Sequence, residues 1–293
     1  MSIKTYGSLF AGVGGIDIGL DSAGMNCLFQ VEIDENCLQT LEYHWPNSTR
    51  MKNITNVCGR DLPEVDIISF GSPCQDLSAV GRRAGLNGKK SSLFHEAVRI
   101  IKEMREKTNG QYPKWAIWEN VAGALYSNSG DDFGQVLSEM DDAGACFSEW
   151  AVLDAQYFGV PQRRRRIYLL SVFDTAIAAR CPSKILPVGE SNPRNGKENG
   201  YFTFYTSQGK YDSYTEGIAT TLKTAGNICI TNKNIAPRKL TPIECERLMG
   251  WPDNHTLYRA DGKYNSDSTR YKMCGNGVVS PVISWIINKI KDI

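Results

Sequence analysis

The chain has 293 residues, 41% of them hydrophobic, enough to bury a core in one large domain or in a large and a small one. Its 33 Lys and Arg residues nearly balance 32 Asp and Glu residues, which excludes bulk charge attraction to nucleic acid and leaves that task to local basic patches. The nine cysteines form no C-x-x-C pair, so we expect neither a metal site nor a disulfide framework. No segment reads as a membrane span or a secretory signal, so we expect a cytoplasmic protein with reduced thiols and no membrane partner.

Short apolar runs alternate with segments of helical spacing through the first 175 residues. The predicted strands are 5–10, 27–33, 65–70, 115–120, 147–153 and 166–172, and the predicted helices are 16–24, 35–44, 92–107 and 133–143. This alternation predicts an α/β fold, with a doubly wound, mostly parallel sheet and helices on both faces.

The composition changes after this point. Residues 181–235 are rich in Gly, Asn, Ser, Thr and Tyr, which predicts a second, smaller, β-leaning domain. Thr241 and Pro242 predict the N-cap and first turn of a helix, and Ser280 begins a C-terminal helix that we expect to pack back on the first domain. The predicted domains are residues 1–175 plus 265–293 for the larger and residues 176–264 for the smaller.

Chemically unusual residues follow the predicted strands. In open α/β sheets, ligands bind in the crevice at the carboxyl ends of the strands. A glycine-rich turn (10–15) follows the first strand, Glu32 ends the second, Cys74 follows the third, and Glu119 ends the fourth. We therefore expect these residues to line one crevice.

The stretch FAGVGG places glycines at a strand-to-helix turn, where the backbone can approach a ligand closely. Glu32, one strand along, is suited to bind the hydroxyls of a ribose. A plain tight turn and a solvated carboxylate are the alternative interpretations of these two features.

Cys74 lies just outside a predicted strand, after the rigid Pro73 and with Arg82 and Arg83 further along the loop. Positive charge and helix amides favour a thiolate, so we interpret Cys74 as a nucleophile, although a free cysteine is more often a small buried residue. Glu119 ends a Trp-rich buried strand, where desolvation favours the protonated acid. An acid beside a nucleophile suits attack on a ring that takes up a proton, and a buried Glu bonded to backbone amides is the alternative.

The run QRRRR (162–166) is the dense basic cluster that enters a predicted strand. Arg164 and Arg166 would share one face of that strand, and Arg163 and Arg165 the other. Such a run at a sheet end suits phosphate and base contacts, whereas a solvated surface is the alternative.

Taken in order, these motifs resemble the C5-cytosine DNA methyltransferase family along nearly the whole chain. The matching segments are FAGVGG, VEID, GSPCQDLS, ENV, PQRRRR, RKLTPIECERLMGWP and CGNGVVSPV. The resemblance implies a Rossmann-like methyltransferase sheet in the larger domain and a target-recognition domain in the smaller one, with the recognition segment at about 176–237. It also implies transfer of methyl from S-adenosylmethionine, without a metal, to a cytosine flipped out of double-stranded DNA.

The resemblance assigns a role to each motif residue. By resemblance, Cys74 attacks C6 of the cytosine, Glu119 engages N3, and Gln75, Arg164 and Arg166 complete the catalytic set. The cofactor would contact Phe10, Gly12, Gly14, Gly15, Glu32, Ile33, Asn53, Pro73, Asn276, Gly277 and Val278. DNA would contact Ser78, Arg82, Arg83, Gln162, Arg164, Thr221 and Leu222. Asn53 and Gly277 depart from the family pattern, where many members have Asp and some have Ser.

The resemblance further implies a monomer, with a cognate restriction endonuclease as a partner at the same DNA site. The tRNA-methylating branch of the family is the first alternative, although residues 176–237 lack its Cys-Phe-Thr signature. A non-catalytic DNA-binding relative would not need Cys74, and a nicotinamide dehydrogenase would not need Pro-Cys-Gln beside Glu-Asn-Val.

Overall fold

The computed structural model describes residues 3–73, 93–186, 202–207, 210–216, 218–219, 221–222, 228–232 and 235–293. Its strands are β1 (Thr5–Leu9), β2 (Asn26–Val31), β3 (Thr49–Met51), β4 (Ile67–Phe70), β5 (Trp115–Val121), β6 (Phe147–Asp154), β7 (Arg165–Val172), β8 (Phe202–Ser207), β9 (Lys210–Glu216), β10 (Ile228–Asn232) and β11 (Ile235–Lys239). Its α-helices are α1 (Gly15–Ser22), α2 (Glu35–His44), α3 (Leu93–Lys107), α4 (Asp131–Asp142), α5 (Thr175–Ala178), α6 (Pro242–Leu248), α7 (Asp267–Asn276) and α8 (Ser280–Ile290). Short 3-10 turns lie at Ile54–Asn56, Gly59–Asp61, Ala122–Gly130 and Ala155–Tyr157.

In the described part of the chain the main sheet has seven strands, in the order β3-β2-β1-β4-β5-β7-β6. Strands β1 to β5 run parallel to one another, whereas β7 runs antiparallel to both of its neighbours, β5 and β6. The predicted α/β fold with a mostly parallel sheet is confirmed. Because β7 is reversed, its first residues lie at the edge where the parallel strands end, with Arg166 opposite Val121.

Apolar side chains cover both faces of this sheet. The central strand β4 is buried along its whole length, which explains why three of its four residues are apolar. One face packs on α3 and α4 through Phe94, Phe133 and their neighbours. The other face packs on α1 and α8, where a β-carbon on Gly19 would lie 2.6 Å from the β-carbon of Ile283. The C-terminal helix therefore packs back on the larger domain, as predicted.

A second sheet lies in the β-leaning region, with the antiparallel order β11-β10-β8-β9 in the part of the chain described. Beyond it, Thr241 caps α6 as predicted, because its hydroxyl accepts from the Glu244 amide while the Glu244 carboxylate accepts from the Thr241 amide at 2.7 Å.

The segment between α6 and α7 packs on the larger unit. The side chain of Asn265 donates to Thr40 Oγ1 on α2 at 3.0 Å, and Leu240, Cys245 and Met249 share the core that includes α1. These residues follow β11 and bury their apolar side chains with the main sheet, while the predicted domain bounds stay a prediction. Among the described residues, no helix is both long and apolar enough to cross a membrane.

Candidate active site

A cavity of about 600 Å³ opens at the carboxyl ends of the parallel strands. The predicted site residues that line it are Phe10, Gly12, Glu32, Ile33, Asn53, Pro73, Glu119, Arg164, Arg166, Asn276 and Gly277. These residues lie in β5, β7 and α7, directly before β7, and in the segments that follow β1, β2, β3, β4 and α7. The fold thus brings together side chains that the sequence placed at separate strand ends.

Glu119 forms the acidic end of this cavity. The residue is 8% exposed, and its Oε1 lies 3.2 Å from Nε of Arg166. Burial raises the pKa of Glu119, and the charges of Arg166 and Arg164 oppose that rise. Gly71 leaves room for the carboxyl group, because a β-carbon there would lie 3.3 Å from Oε2. The site therefore favours the protonated acid beside a guanidinium group that can also hold the carboxylate.

The backbone that leads to Pro73 is held from β5. The indole Nε1 of Trp118 donates to Ser72 Oγ at 3.0 Å, and Asn120 Nδ2 donates to the Ser72 carbonyl at 3.2 Å. Asn120 Oδ1 in turn accepts from the Val121 amide at 2.8 Å. Sequence reasoning missed these three side chains as site residues, although the Glu-Asn-Val motif that contains Asn120 pointed to this strand.

Glu32 forms the other end of the cavity. Its Oε2 accepts from the Gly12 amide at 2.8 Å, and its Oε1 accepts from the amides of Ile33 at 2.9 Å and Asp34 at 2.8 Å. Burial raises the pKa of Glu32, while these amide bonds favour the carboxylate. Oε1 uses both of its lone-pair sites on two amides, whereas Oε2 retains one beyond its bond to Gly12, so the group can still accept from a ligand hydroxyl.

The same end offers an apolar surface to a flat ring. Ile33 is 72% exposed although its side chain is apolar, and Phe10 lines the cavity with a positive φ of 54°. Asn53 is also exposed, and its Oδ1 accepts from the Thr55 amide at 3.1 Å. An exposed isoleucine, a half-buried carboxylate that accepts from hydroxyls and an amide group suit a nucleoside, so these residues fit the adenosine part of S-adenosylmethionine.

Three predicted cofactor residues lie outside the cavity lining, namely Gly14, Gly15 and Val278. A β-carbon on Gly14 would lie 2.4 Å from Cη2 of Trp45. A β-carbon on Gly15 would lie 2.6 Å from the Val278 carbonyl, which accepts from Nε1 of Trp251 at 3.1 Å. The structure thus gives these residues a packing role behind the glycine loop, and their contact with a cofactor stays a prediction.

A histidine pair also supports this loop. His255 is 3% exposed, and its Nε2 lies 2.7 Å from the Val13 carbonyl, so the ring carries its proton on that nitrogen. His44 stacks on it at 4.1 Å between centroids. Burial, with the charge of His44, lowers the pKa of His255 to about 3, so His255 is neutral at physiological pH. Sequence reasoning missed His255, Trp45 and Trp251, because no local pattern links them to residues 10–15.

The side chains of Gln162 and Arg164 point into the protein. Gln162 is fully buried, and it donates to the Leu248 carbonyl at 2.8 Å and accepts from the Leu222 amide at 3.2 Å. Arg164 donates to the carbonyls of Gly277 at 2.7 Å and Gly275 at 3.2 Å. Both side chains therefore hold backbone around the cavity, and their predicted contact with DNA stays a prediction.

The predicted Thr221-Leu222 pair is held beside this arginine run. Thr221 Oγ1 donates to the Arg163 carbonyl at 2.6 Å, while the Leu222 side chain is buried. The predicted residues Cys74, Gln75, Ser78, Arg82 and Arg83 lie outside the described residues. Within the described ranges, no group of three or more His, Cys, Asp or Glu side chains is arranged to hold a metal ion.

Comparisons with known proteins agree with this architecture. The sequence profile described as C-5 cytosine-specific DNA methylase matches residues 5–195 and 182–292. Type II methyltransferase M.NlaX of Neisseria lactamica is 30% identical, with 97% of this chain and 95% of the relative covered. Type II methyltransferase M.HhaI of Haemophilus parahaemolyticus is 28% identical, with 96% and 92% covered.

Solved structures share the fold. A mutant of Spodoptera frugiperda DNMT2 superposes with a TM-score of 0.70 at 15% identity, covering 98% of this chain and 99% of that one. S. pombe Dnmt2 methyltransferase superposes with a TM-score of 0.67 at 15% identity, covering 99% and 98%.

The profile match spans nearly the whole chain, and the relatives share its full length. This chain belongs to the C-5 cytosine-specific DNA methylase family, and its activity is that of a DNA (cytosine-5-)-methyltransferase. The predicted family, fold and reaction are therefore confirmed. Membership implies DNA as the substrate and S-adenosylmethionine as the methyl donor.

Proposed function

We propose that this chain methylates a cytosine at a specific sequence of double-stranded DNA, with the cavity as the place where the flipped base and the cofactor meet. The observation that carries this proposal is the position of Glu119. A buried, proton-favouring carboxyl group shares one cavity with Glu32, Ile33 and Asn53, the residues suited to adenosine. An acid that can protonate the cytosine and a set of residues that can bind a nucleoside thus lie within one crevice.

S-adenosylmethionine, when bound, supplies an electrophilic methyl group. Glu32 would accept from the ribose hydroxyls, Ile33 and Phe10 would face the adenine ring, and the amide group of Asn53 would meet its polar edge. Arg164 would keep Asn276 and Gly277 in place, because it holds the Gly275 and Gly277 carbonyls. Each of these residues lines the cavity, which supports the proposed contacts.

Glu119 would act on the target base by holding a proton at N3. A protonated ring accepts a nucleophile at C6 more readily, and general acids of this kind contribute roughly 10²–10⁴-fold in rate. Arg166 would stabilise the carboxylate each time the proton moves to the base, since its Nε is 3.2 Å from Oε1. Burial of both groups strengthens this interaction.

Cys74 would supply the nucleophile. Its thiolate would form a bond to C6, the ring electrons would make C5 nucleophilic, and C5 would take the methyl group from S-adenosylmethionine, which would leave as S-adenosylhomocysteine. A base then removes the C5 proton, the bond to Cys74 breaks, and 5-methylcytosine is released. Ser72 and Pro73 precede this cysteine directly, so the contacts of Trp118 and Asn120 with Ser72 would set the direction from which the thiolate approaches.

We further propose a monomeric enzyme of a bacterial or phage-infected cytoplasm, paired with a cognate restriction endonuclease. Residues 176–237 would select the DNA sequence, with Ser78, Arg82, Arg83 and the Thr221-Leu222 pair close to the target. The relatives are named type II methyltransferases, which supports the restriction–modification role.

The decisive experiment is transfer of labelled methyl from S-adenosylmethionine to duplex DNA and, in parallel, to bulk tRNA. Wild-type protein should label duplex DNA, and Cys74→Ser should abolish the label while DNA binding remains. Cys146→Ser is the matched control, because this exposed cysteine lies directly before β6, at the sheet edge opposite the cavity.

The outcome of this experiment separates the alternatives. Label in tRNA alone would move the protein to the tRNA-methylating branch. Methylation by Cys74→Ser at near wild-type rate would overturn the mechanism. If the control variant also lost activity, the effect of Cys74→Ser could not be assigned to the nucleophile.

A further inference from the structure

The arginine run that enters β7 divides into two pairs with different surroundings. Arg164 and Arg166 are directed inward, where one holds the Gly275 and Gly277 carbonyls and the other pairs with Glu119. Arg163 and Arg165 are exposed. Within the described residues, neither exposed guanidinium group has an ion-pair or hydrogen-bond partner.

The backbone under these two arginines is firmly placed. The Arg163 amide donates to the Ala219 carbonyl at 2.8 Å, and the Arg163 carbonyl accepts from Thr221 Oγ1 at 2.6 Å. Arg165 begins β7 and pairs in register with Asp154 of β6. A fixed backbone beneath a free guanidinium group lowers the entropy lost when that group binds a ligand.

Within the described ranges, no carboxylate is paired with either of these two arginines. Asp154 is the register partner of Arg165, but its Oδ1 accepts from the Arg164 amide at 3.0 Å and its Oδ2 accepts from Gln156 Nε2 at 2.7 Å. The two positive charges therefore remain available at the surface. They stand out on a chain whose formal net charge is only +1.

The position of the pair indicates what it binds. Because β7 is antiparallel, its first residues lie at the edge where β5 ends, with Arg166 opposite Val121 and thus two residues from Glu119. A base that reaches Glu119 from a duplex brings the phosphates of its own strand to the same edge. Guanidinium groups bind phosphates with two parallel hydrogen bonds.

We propose that Arg163 and Arg165 form a phosphodiester-binding site that holds the DNA backbone beside the flipped cytosine. This proposal rests on the proposed function, and it adds Arg163 and Arg165 to the DNA contacts expected from the sequence. Arg164 and Arg166 help to form the cavity, while Arg163 and Arg165 bind the DNA backbone outside it.

The test compares Arg163→Ala/Arg165→Ala with wild type in binding to a labelled duplex of random sequence across a salt titration. Each phosphate contact contributes about 0.9 to the slope of log affinity against log salt, so the slope should fall by about 1.8. Between about 50 and 200 mM salt, the deficit of the variant should therefore shrink by about tenfold. The affinity for S-adenosylmethionine and the melting temperature should not change, which separates a phosphate contact from a structural role.

Two further variants serve as controls. Arg163→Lys/Arg165→Lys keeps both charges and should retain most of the wild-type slope. Arg180→Ala removes an exposed arginine beyond the other end of β7, at the opposite sheet edge, and should behave as wild type. A wild-type slope in the double alanine variant, with methylation of DNA by the wild type intact, overturns the phosphate site alone. Failure of the wild type to bind duplex DNA overturns both the site and the proposed function.

Discussion

A β-carbon on Gly277 would lie 2.3 Å from Cη2 of Trp251, so the indole ring occupies the space that any side chain at position 277 needs. The same ring approaches Gly15, and its Nε1 donates to the Val278 carbonyl. Trp251 therefore joins the two backbone segments that flank the cofactor end of the cavity. The absence of a side chain at 277, where some family members have Ser, is matched here by the size of the neighbouring indole.

Gly277→Ser should lower the free energy of unfolding by about 1–3 kcal/mol, as overpacking does, and should weaken binding of S-adenosylmethionine. The smaller ring of Trp251→Phe should make room for the serine, so the double variant should recover part of both losses. Urea unfolding and calorimetric titration of the cofactor measure the two effects. If the single effects simply add, with a coupling below about 0.5 kcal/mol, the ring and the glycine are independent.

His255 should make the protein sensitive to acid. Its pKa is about 3 in the folded protein, whereas its ordinary value is 6.5. Between these values the unfolded chain binds a proton that the folded protein does not, so stability falls as the pH falls through this window, by up to about 1.4 kcal/mol per pH unit. His255→Gln keeps a donor for the Val13 carbonyl and should flatten this dependence.

Thermal unfolding between pH 7.5 and pH 5 measures the effect of His255→Gln, and His95→Gln is its control because His95 is paired with Glu139 rather than with the glycine loop. Cofactor affinity adds a second readout. His255→Leu should weaken binding of S-adenosylmethionine, and His255→Gln should restore it. Equal losses in both variants would show that the hydrogen bond to Val13 does not position the loop.

Glu119→Gln should lower kcat/KM by roughly 10²–10⁴-fold, because the amide cannot deliver a proton to the base. The substitution should also change how the free energy of unfolding depends on pH. Burial raises the pKa of Glu119 above its ordinary 4.5, so the folded protein retains a proton that the unfolded chain releases as the pH rises above that value. Wild-type stability should therefore fall with rising pH in this window, and the glutamine variant should not share that loss.

Urea unfolding at acidic and at neutral pH, beside initial rates of methyl transfer, measures both effects of Glu119→Gln. The stability of the variant relative to wild type should increase with pH. A relative stability that instead decreased with pH would mean that the folded protein holds Glu119 mainly as a carboxylate paired with Arg166.

Ser72→Ala should remove the acceptor of the buried Trp118 indole and loosen the backbone that leads to Pro73. An unsatisfied buried donor costs about 1–3 kcal/mol, so the free energy of unfolding should fall by that amount. The methylation rate should fall as well, with little change in the KM for S-adenosylmethionine. Ser171→Ala is the matched control, because this buried serine pairs with Ser148 Oγ at 3.0 Å at the other end of the sheet. The stability of Ser171→Ala should fall without a change in its methylation rate. Equal methylation rates for both variants would contradict a positioning role for Ser72.

Several elements could be located from their own residues. The predicted strand 5–10 is observed as Thr5–Leu9, and the predicted helix 92–107 as Leu93–Lys107, because each carries the apolar period of its backbone conformation. The strand Thr49–Met51 was missed, since three residues with one apolar side chain have no period to detect.

The sequence by itself determined the α/β alternation, the strand ends that form the site, and, through its ordered motifs, the family and the reaction. Tertiary structure alone decided which arginines turn inward, because that depends on the Gly275 and Gly277 carbonyls more than a hundred positions away. It alone also placed His255 against Val13, a contact across 242 positions. Local periodicity reflects the backbone conformation of neighbouring residues, whereas such contacts arise only when packing of the whole core brings distant segments together.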